Sequence, residues 1–516
     1  MTEEKERPIK VSRRDFVKGA AVGAGLLTGA GALASCGTAA APAAPGMPAK
    51  WDKEADVVIV GAGGTGIVAA IEAADGGASV VVLEKAAIVG GTTSLSGAVI
   101  QASNTEFQRA AGVEGDTPER HYQYWITAAE GQADPDLVKV LADNAPSNIQ
   151  WLVDQGVEYA GVYGVDPIPY MDPELMVSRI HIPGPPGSQP APGAGEQYHI
   201  RILYQVAQDK GAEFLLETPA TGLVRDPEKG VLGVKAESGG EEMYVKANKA
   251  VILATSSFDH NEEMARAFSL QQLWAMEKGI VATVPTDTGD GIKMAMEIGA
   301  DLAGMGGTIG VPSPGIGGAA APGIWVNKYG QRFVNEAAHY AFASRAVFNQ
   351  EQHLAWVIFD EKVKEQGGAP LGWSDDLSEE IASGVVKTGP LSALAQLLGL
   401  NGAELEATVE KWNEDVAGGE DTLFGKAAGL QAIDQGPYYA AQMMEWNLGS
   451  HGGVRINTSA QVLDVHGEVI PRLYAGGMVA GGIVGPYYPG SGTAICSTVC
   501  FGRIAAQKAS AEEAWE

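Results

Sequence analysis

Asp56-Val57-Val58-Ile59-Val60-Gly61-Ala62-Gly63-Gly64-Thr65-Gly66 decides the fold. The run through Val60 reads as a buried strand that enters a GxGxxG turn. An Ala-rich helical stretch follows to Ala74, a second strand spans Ala78 to Leu83, and Glu84 closes the segment. Strand, glycine turn, helix, strand and acid within about 30 residues make a dinucleotide-binding unit. Gly61 allows the tight turn, Gly63 lets the backbone approach a pyrophosphate, and Gly66 permits close helix–strand packing. Gly64 and Thr65 belong to the turn, and the N-terminus of the helix that follows favours the anion. Glu84 can accept hydrogen bonds from a ribose diol. The unit alone does not separate FAD from NAD.

Composition narrows the rest. The 516 residues are 45% hydrophobic and 19% charged, enough for large cores. A net charge of −28 disfavours nucleic acid, since such a chain repels phosphate backbones. Three cysteines cannot ligate a four-cysteine iron–sulfur cluster. No HExxH or paired CxxC suggests zinc, so no metal is expected and redox chemistry falls to an organic cofactor.

The N-terminus reads as an address. Ser12-Arg13-Arg14-Asp15-Phe16-Val17-Lys18 precedes an uncharged run from Gly19 to Ser35, short for a spanning helix and typical of a signal. The arginine pair resembles the twin-arginine export signal. Leu33-Ala34-Ser35-Cys36 resembles a bacterial lipobox, so residues 1–36 are expected to be a signal with Cys36 lipidated; cleavage nearby without lipid is the alternative. Residues 37–50 read as a linker. The expected location is the cell envelope, on the outer face of the cytoplasmic membrane.

The stretch from Glu84, EKAAIVGGTTSLSG, resembles the second flavin loop of the fumarate reductase/succinate dehydrogenase flavoprotein superfamily. Val251 to Phe258 is similar to that superfamily's ATGGF segment, with Ser256 and Ser257 in place of glycines. Thr288-Gly289-Asp290-Gly291 resembles its TGDG, and Arg332-Phe333-Val334-Asn335-Glu336 its RFVNE. Gly452-Gly453-Val454 and Leu473 to Gly477 resemble its returning flavin segments. The resemblance implies FAD, contacted by the glycine turn and Glu84, then Lys85, Gly91, Thr92, Thr93, Ser96 and Gly97. It adds Ala220, Ala254, Thr255, Asp290, Gly477, Thr493, Ala494 and Ile495. It also implies an α/β fold: a Rossmann-like FAD-binding domain from 51–270 and 441–516, interrupted by an α+β capping domain at 271–440. A closing helix is expected near Ala494–Lys508, with Cys496 and Cys500 as buried thiols.

The superfamily makes or reduces C–C double bonds beside an electron-withdrawing group. Its dicarboxylate reductases carry an arginine four residues after the NE glutamate; here that residue is Tyr340. Gly304 to Gly323 holds no Arg, Glu or His, and a dianion needs cations to offset its desolvation. The 3-ketosteroid dehydrogenase branch is more similar, through Tyr340, Tyr488-Pro489-Gly490-Ser491-Gly492 and Gly449-Ser450-His451-Gly452-Gly453. It implies Tyr340 as the proton-transfer group and Tyr488 with the Gly492 N–H as holders of the ketone oxygen. Tyr487 rivals Tyr488, and His339 is an alternative to Tyr340. Arg345 is more naturally structural than a carboxylate ligand. His181, in an RxHxP-like element, is expected to be structural. A supporting tyrosine could be Tyr159, Tyr163 or Tyr170.

The expected activity is an FAD-dependent CH–CH oxidoreductase acting on an alkene conjugated to a ketone, steroid-like or polyphenol-like. The expected electron partner is a membrane quinone or quinol, or a periplasmic carrier. A neutral tyrosine already holds a proton, which leans the chemistry toward reduction. The alternatives are a respiratory reductase of an unsaturated acid (urocanate, cinnamate or fumarate type) and a non-catalytic flavin shuttle.

Overall fold

The computed structural model describes residues 47–515 apart from 165–166, 315–322, 366–373 and 375; these belong to one compact unit, residues 44–516. The arginine pair, the lipobox and Cys36 lie outside the described residues.

The glycine-turn strand, Lys53–Val60, is central to the main sheet. It pairs in parallel with Val80–Leu83 on one side and Glu241–Leu253 on the other. Glu213–Leu215 and Val469–Ala475 extend the parallel run at its two sides. Val57 to Ile59 and Val251 to Leu253 are fully buried, as both faces of a parallel sheet are covered. One face carries the helix Gly64–Asp75 against the closing helix Thr493–Ala511. A Cβ on Gly66 would overlap the Gly61 carbonyl oxygen, so the glycine is what lets this helix approach its own strand. The second strand starts later than expected, at Val80, because the Ala78 N–H is still bonded to the helix carbonyl of Ala73.

Of the three smaller sheets among the described residues, two bear on the site. Leu302–Ser313 pairs with Met444–Arg455. Ile324–Asn327, Ala355–Asp360, Tyr438–Gln442 and Val386–Gly389 form the other. The helix Tyr340–Phe348 packs on Leu302–Ser313 and so delivers its first residue to the space beside the main sheet. The RFVNE segment is held from inside: Arg332 forms ion pairs with Glu336 at 2.8 Å and Asp421 at 2.9 Å, all nearly fully buried. Lys426 lies 3.6 Å from Glu336 and donates to the Gly323 carbonyl. Among the described residues, no helix is long and apolar enough to cross a membrane.

Candidate active site

A cavity of about 730 Å³ opens where the parallel strands end, at Val60, Leu83 and Ala254. This is the crevice where strand order reverses, the usual ligand position in such sheets. Gly61, Gly63, Gly64 and Thr65 form one wall. Gly61 has φ +104°, a left-handed conformation that a glycine adopts without strain. The nearest atom to a Cβ on Gly63 would be 3.8 Å away, so that flank is an open cradle. Gly63 gives the helix no side-chain cap, and beyond the Gly64 N–H, which meets Thr93 Oγ1 at 3.3 Å, the first-turn N–H groups are left for an anion. Glu84 lines the cavity and accepts the Ala62 and Ala86 N–H groups, both at 2.8 Å, which fixes its carboxylate. Lys85 Nζ lies 2.6 Å from Asp290 and 2.8 Å from Thr288 Oγ1. Burial pushes the Asp290 carboxyl up, but Lys85 holds it below its ordinary value.

Gly91, Thr92, Thr93, Ser96 and Gly97 line the next part of the wall, with Ala220, Ala254, Thr255, Ala494 and Ile495. Gly66, Gly477 and Thr493 do not reach the cavity. Gly66 is the packing contact already described. Gly477 abuts Thr65, and Thr493 Oγ1 is turned back to the Gly490 carbonyl at 3.0 Å.

Two carboxylates that sequence reading missed also line this space. Asp287 accepts from Thr92 Oγ1 at 2.6 Å and Ser256 Oγ at 3.1 Å. Burial, reinforced by nearby Asp259, pushes its carboxyl up to about 7. Asp259 is itself raised by burial and accepts the Ser450 N–H at 2.7 Å. Their only sequence signal is adjacency to the TGDG-like and ATGGF-like segments. Ser256 stands at φ +64°, uncommon for a residue with a side chain, and its bond to Asp287 helps offset that cost.

The far end gathers Tyr163, Tyr340, Tyr488, Ser491 and Gly492, with Ile309, Val311 and Trp446 around them. Tyr340 and Ser491 hydroxyls are 3.2 Å apart. Burial, with Tyr488 adjacent, holds the Tyr340 hydroxyl well above its ordinary value. The Tyr488 hydroxyl accepts the Ala494 N–H at 2.9 Å, so its own proton is free to donate elsewhere; burial raises it too. Gly492 has φ +95°, and a Cβ there would come within 2.7 Å of Gln101 N.

The alternatives differ in position. Tyr487 stacks on Phe342 and does not line the cavity, whereas Tyr488 does. Of the three upstream tyrosines only Tyr163 lines it. Tyr159 packs on His181 and Phe107, and Tyr170 is half-exposed. His339 is buried, pushed down to about 3, and its Nδ1 accepts the Ala341 N–H, capping the helix behind Tyr340. Arg345 bonds Gln271 at 2.5 Å and stays outside the lining. His181 is buried between Thr105 Oγ1 and the Arg179 carbonyl. Cys496 and Cys500 are buried free thiols.

The family model described as "FAD binding domain" matches residues 56–495. A fumarate reductase (cytochrome) of Shewanella frigidimarina is 31% identical over 88% of this chain and 76% of its own length. A digoxin reductase of Eggerthella lenta is 29% identical over 98% of both chains. The solved 3-ketosteroid-Δ4-(5α)-dehydrogenase of Rhodococcus jostii RHA1, in complex with 4-androstene-3,17-dione, aligns with a TM-score of 0.77 at 28% identity, covering 90% of this chain and 98% of that one.

Proposed function

The chain belongs to the FAD binding domain family as an FAD-dependent oxidoreductase acting on CH–CH bonds, and on that premise we propose that it reduces an alkene conjugated to a ketone. The donor set fits the cofactor: an open glycine cradle at the helix start, a fixed acid at the end of the second strand, and a cavity lined by both. When bound, FAD supplies the hydride. The observation that carries the substrate class is the tyrosine end. Among the described lining residues Lys85 is the one basic side chain, and it is paired with Asp290 in the nucleotide wall. The internal segments outside the description contain no Lys, Arg or His. A carboxylate substrate would therefore be desolvated without a counter-ion, whereas a ketone needs only hydrogen-bond donors.

In this reading Tyr488 and the Gly492 N–H donate to the ketone oxygen and stabilise the charge that develops there. Tyr340 donates its proton to the carbon that does not receive hydride. Burial keeps that hydroxyl protonated, which suits an acid more than a base and supports the reductive reading. Residues 271–440 act as the cap over a flavin domain built from 51–270 and 441–516. The Arg13–Arg14 segment supports export to the envelope, where a quinol or periplasmic carrier would supply electrons.

The test is anaerobic. The purified flavoprotein is reduced with a viologen and offered single alkenes: a 3-keto-4-ene steroid, an isoflavonoid enone, urocanate, cinnamate and fumarate. Reoxidation by ketones alone is expected. Reoxidation by the acids would overturn the ketone reading in favour of an unsaturated-acid reductase, the activity suggested by the fumarate reductase relative.

A further inference from the structure

The loop Tyr488–Gly492 is pinned through its carbonyls from one helix face. On the helix Pro118–Ala128, His121, Tyr124 and Trp125 are buried at i, i+3 and i+4, positions that share a face. Tyr124 donates its hydroxyl to the Pro489 carbonyl at 2.5 Å. Trp125 Nε1 donates to Thr493 Oγ1 at 3.3 Å, and that hydroxyl donates to the Gly490 carbonyl. His121 reaches the loop through Gln101. The Gln101 amide nitrogen donates to the Ser491 carbonyl at 3.2 Å and the Pro489 carbonyl at 3.4 Å. Its amide oxygen then faces His121 Nε2 at 3.2 Å, which must carry the hydrogen. Burial, with the Arg179 charge, pushes His121 well down, so the ring is neutral and this tautomer is defined. The Gln101 backbone N–H donates to the Gly492 carbonyl. None of these bonds uses the Gly492 N–H.

We propose that His121, Gln101, Tyr124 and Trp125 are positioning residues that fix the loop so that the Tyr488 hydroxyl and Gly492 N–H converge on one oxygen. This rests on the ketone reading of that end of the cavity. A donor pair stabilises developing charge only if it is already oriented, and a glycine-rich loop would not hold such an orientation unaided.

The test uses the oxidised holoenzyme with 4-fluorophenol, whose phenolate mimics an enolate and whose ionisation is read from its ¹⁹F shift. The wild-type protein is expected to bind it with the apparent pKa lowered. Tyr124→Phe and Gln101→Leu are expected to cut the bound phenolate-to-phenol ratio at least tenfold at one pH. In both variants kcat for an enone should fall, while its KM and the flavin content stay near wild type. Wild-type ionisation in both variants would overturn the proposal and leave the ketone reading standing. A wild-type protein that binds the phenol without promoting its ionisation would instead overturn the ketone reading, and this inference with it.

Discussion

Tyr340 and Tyr488 stand with ring centroids 6.4 Å apart and planes inclined at 42°. One begins a helix and the other opens the glycine loop before the closing helix, so tertiary packing alone makes them neighbours. Their hydroxyls are not equivalent. Tyr488 is oriented by a backbone N–H, while the Tyr340 hydroxyl, among the described residues, meets the Ser491 hydroxyl. Orientation suits an oxyanion donor, and a movable proton suits an acid.

Tyr340→Phe should therefore remove proton delivery and little else. Removing a general acid costs typically 10²–10⁴-fold. The expected result is a loss of about that size in single-turnover flavin reoxidation by an enone, with flavin content unchanged. Because the hydroxyl is raised above its ordinary value of 10.0, the wild-type rate should show no loss of this acid between pH 6 and 9. A fall through neutral pH that persists in Tyr340→Phe would assign the titration to another group.

Tyr488→Phe should act on the same step by another route. Loss of one oxyanion donor costs about 10²–10³-fold, and the Ala494 N–H loses its acceptor. Gly492→Ala is expected to be worse, since a Cβ would press on Gln101 at a left-handed backbone position. Flavin spectra and single-turnover rates separate the two: Tyr488→Phe keeps its flavin, whereas Gly492→Ala is expected to lose part of it as the loop shifts.

Asp287 gives a prediction in stability. Its folded pKa is raised to about 7 from an ordinary 3.8, so the native chain keeps a proton that the unfolded chain has released. The stabilisation is full below the unfolded value and is lost as pH rises through the folded one. Melting temperature should decline between about pH 4 and 7. Asp287→Asn should flatten part of that decline, leaving the share due to Asp259, whose carboxyl is also raised. An unchanged slope in thermal unfolding would refute the assignment.

How much of this was legible beforehand follows from locality. The glycine cradle and Glu84 are consecutive backbone geometry, so spacing alone located them. The terminal helix ran from Thr493 to Ala511, longer than expected, because the left-handed Gly492 fixes its start and Ala-rich sequence carries it on. Register with family segments pointed to Tyr340 and Tyr488, whereas nothing in the sequence separates Tyr163, which lines the cavity, from Tyr159 and Tyr170, which do not. Asp259 and Asp287 escaped because burial and mutual proximity leave no spacing pattern. The His121–Tyr124–Trp125 face looks like ordinary core in sequence.

Arg332 marks the same boundary. Its RFVNE setting was readable, but Asp421 and Lys426 come from a distant segment. The network is buried, with Asp421 held down to about 2 by Arg332 against the opposing push of burial. Arg332→Ala would leave Glu336 and Asp421 facing each other without the guanidinium that bridges them. Breaking a buried pair by removing one partner costs about 3–5 kcal/mol, and the guanidinium also stacks on Trp412 at 4.6 Å. Thermal unfolding should show a large loss in the segment that carries Tyr340, whereas Arg332→Lys should recover only part because an ammonium cannot bridge both carboxylates in the same plane. If Arg332→Ala left the melting temperature unchanged, the network would not be what holds the tyrosine helix in place.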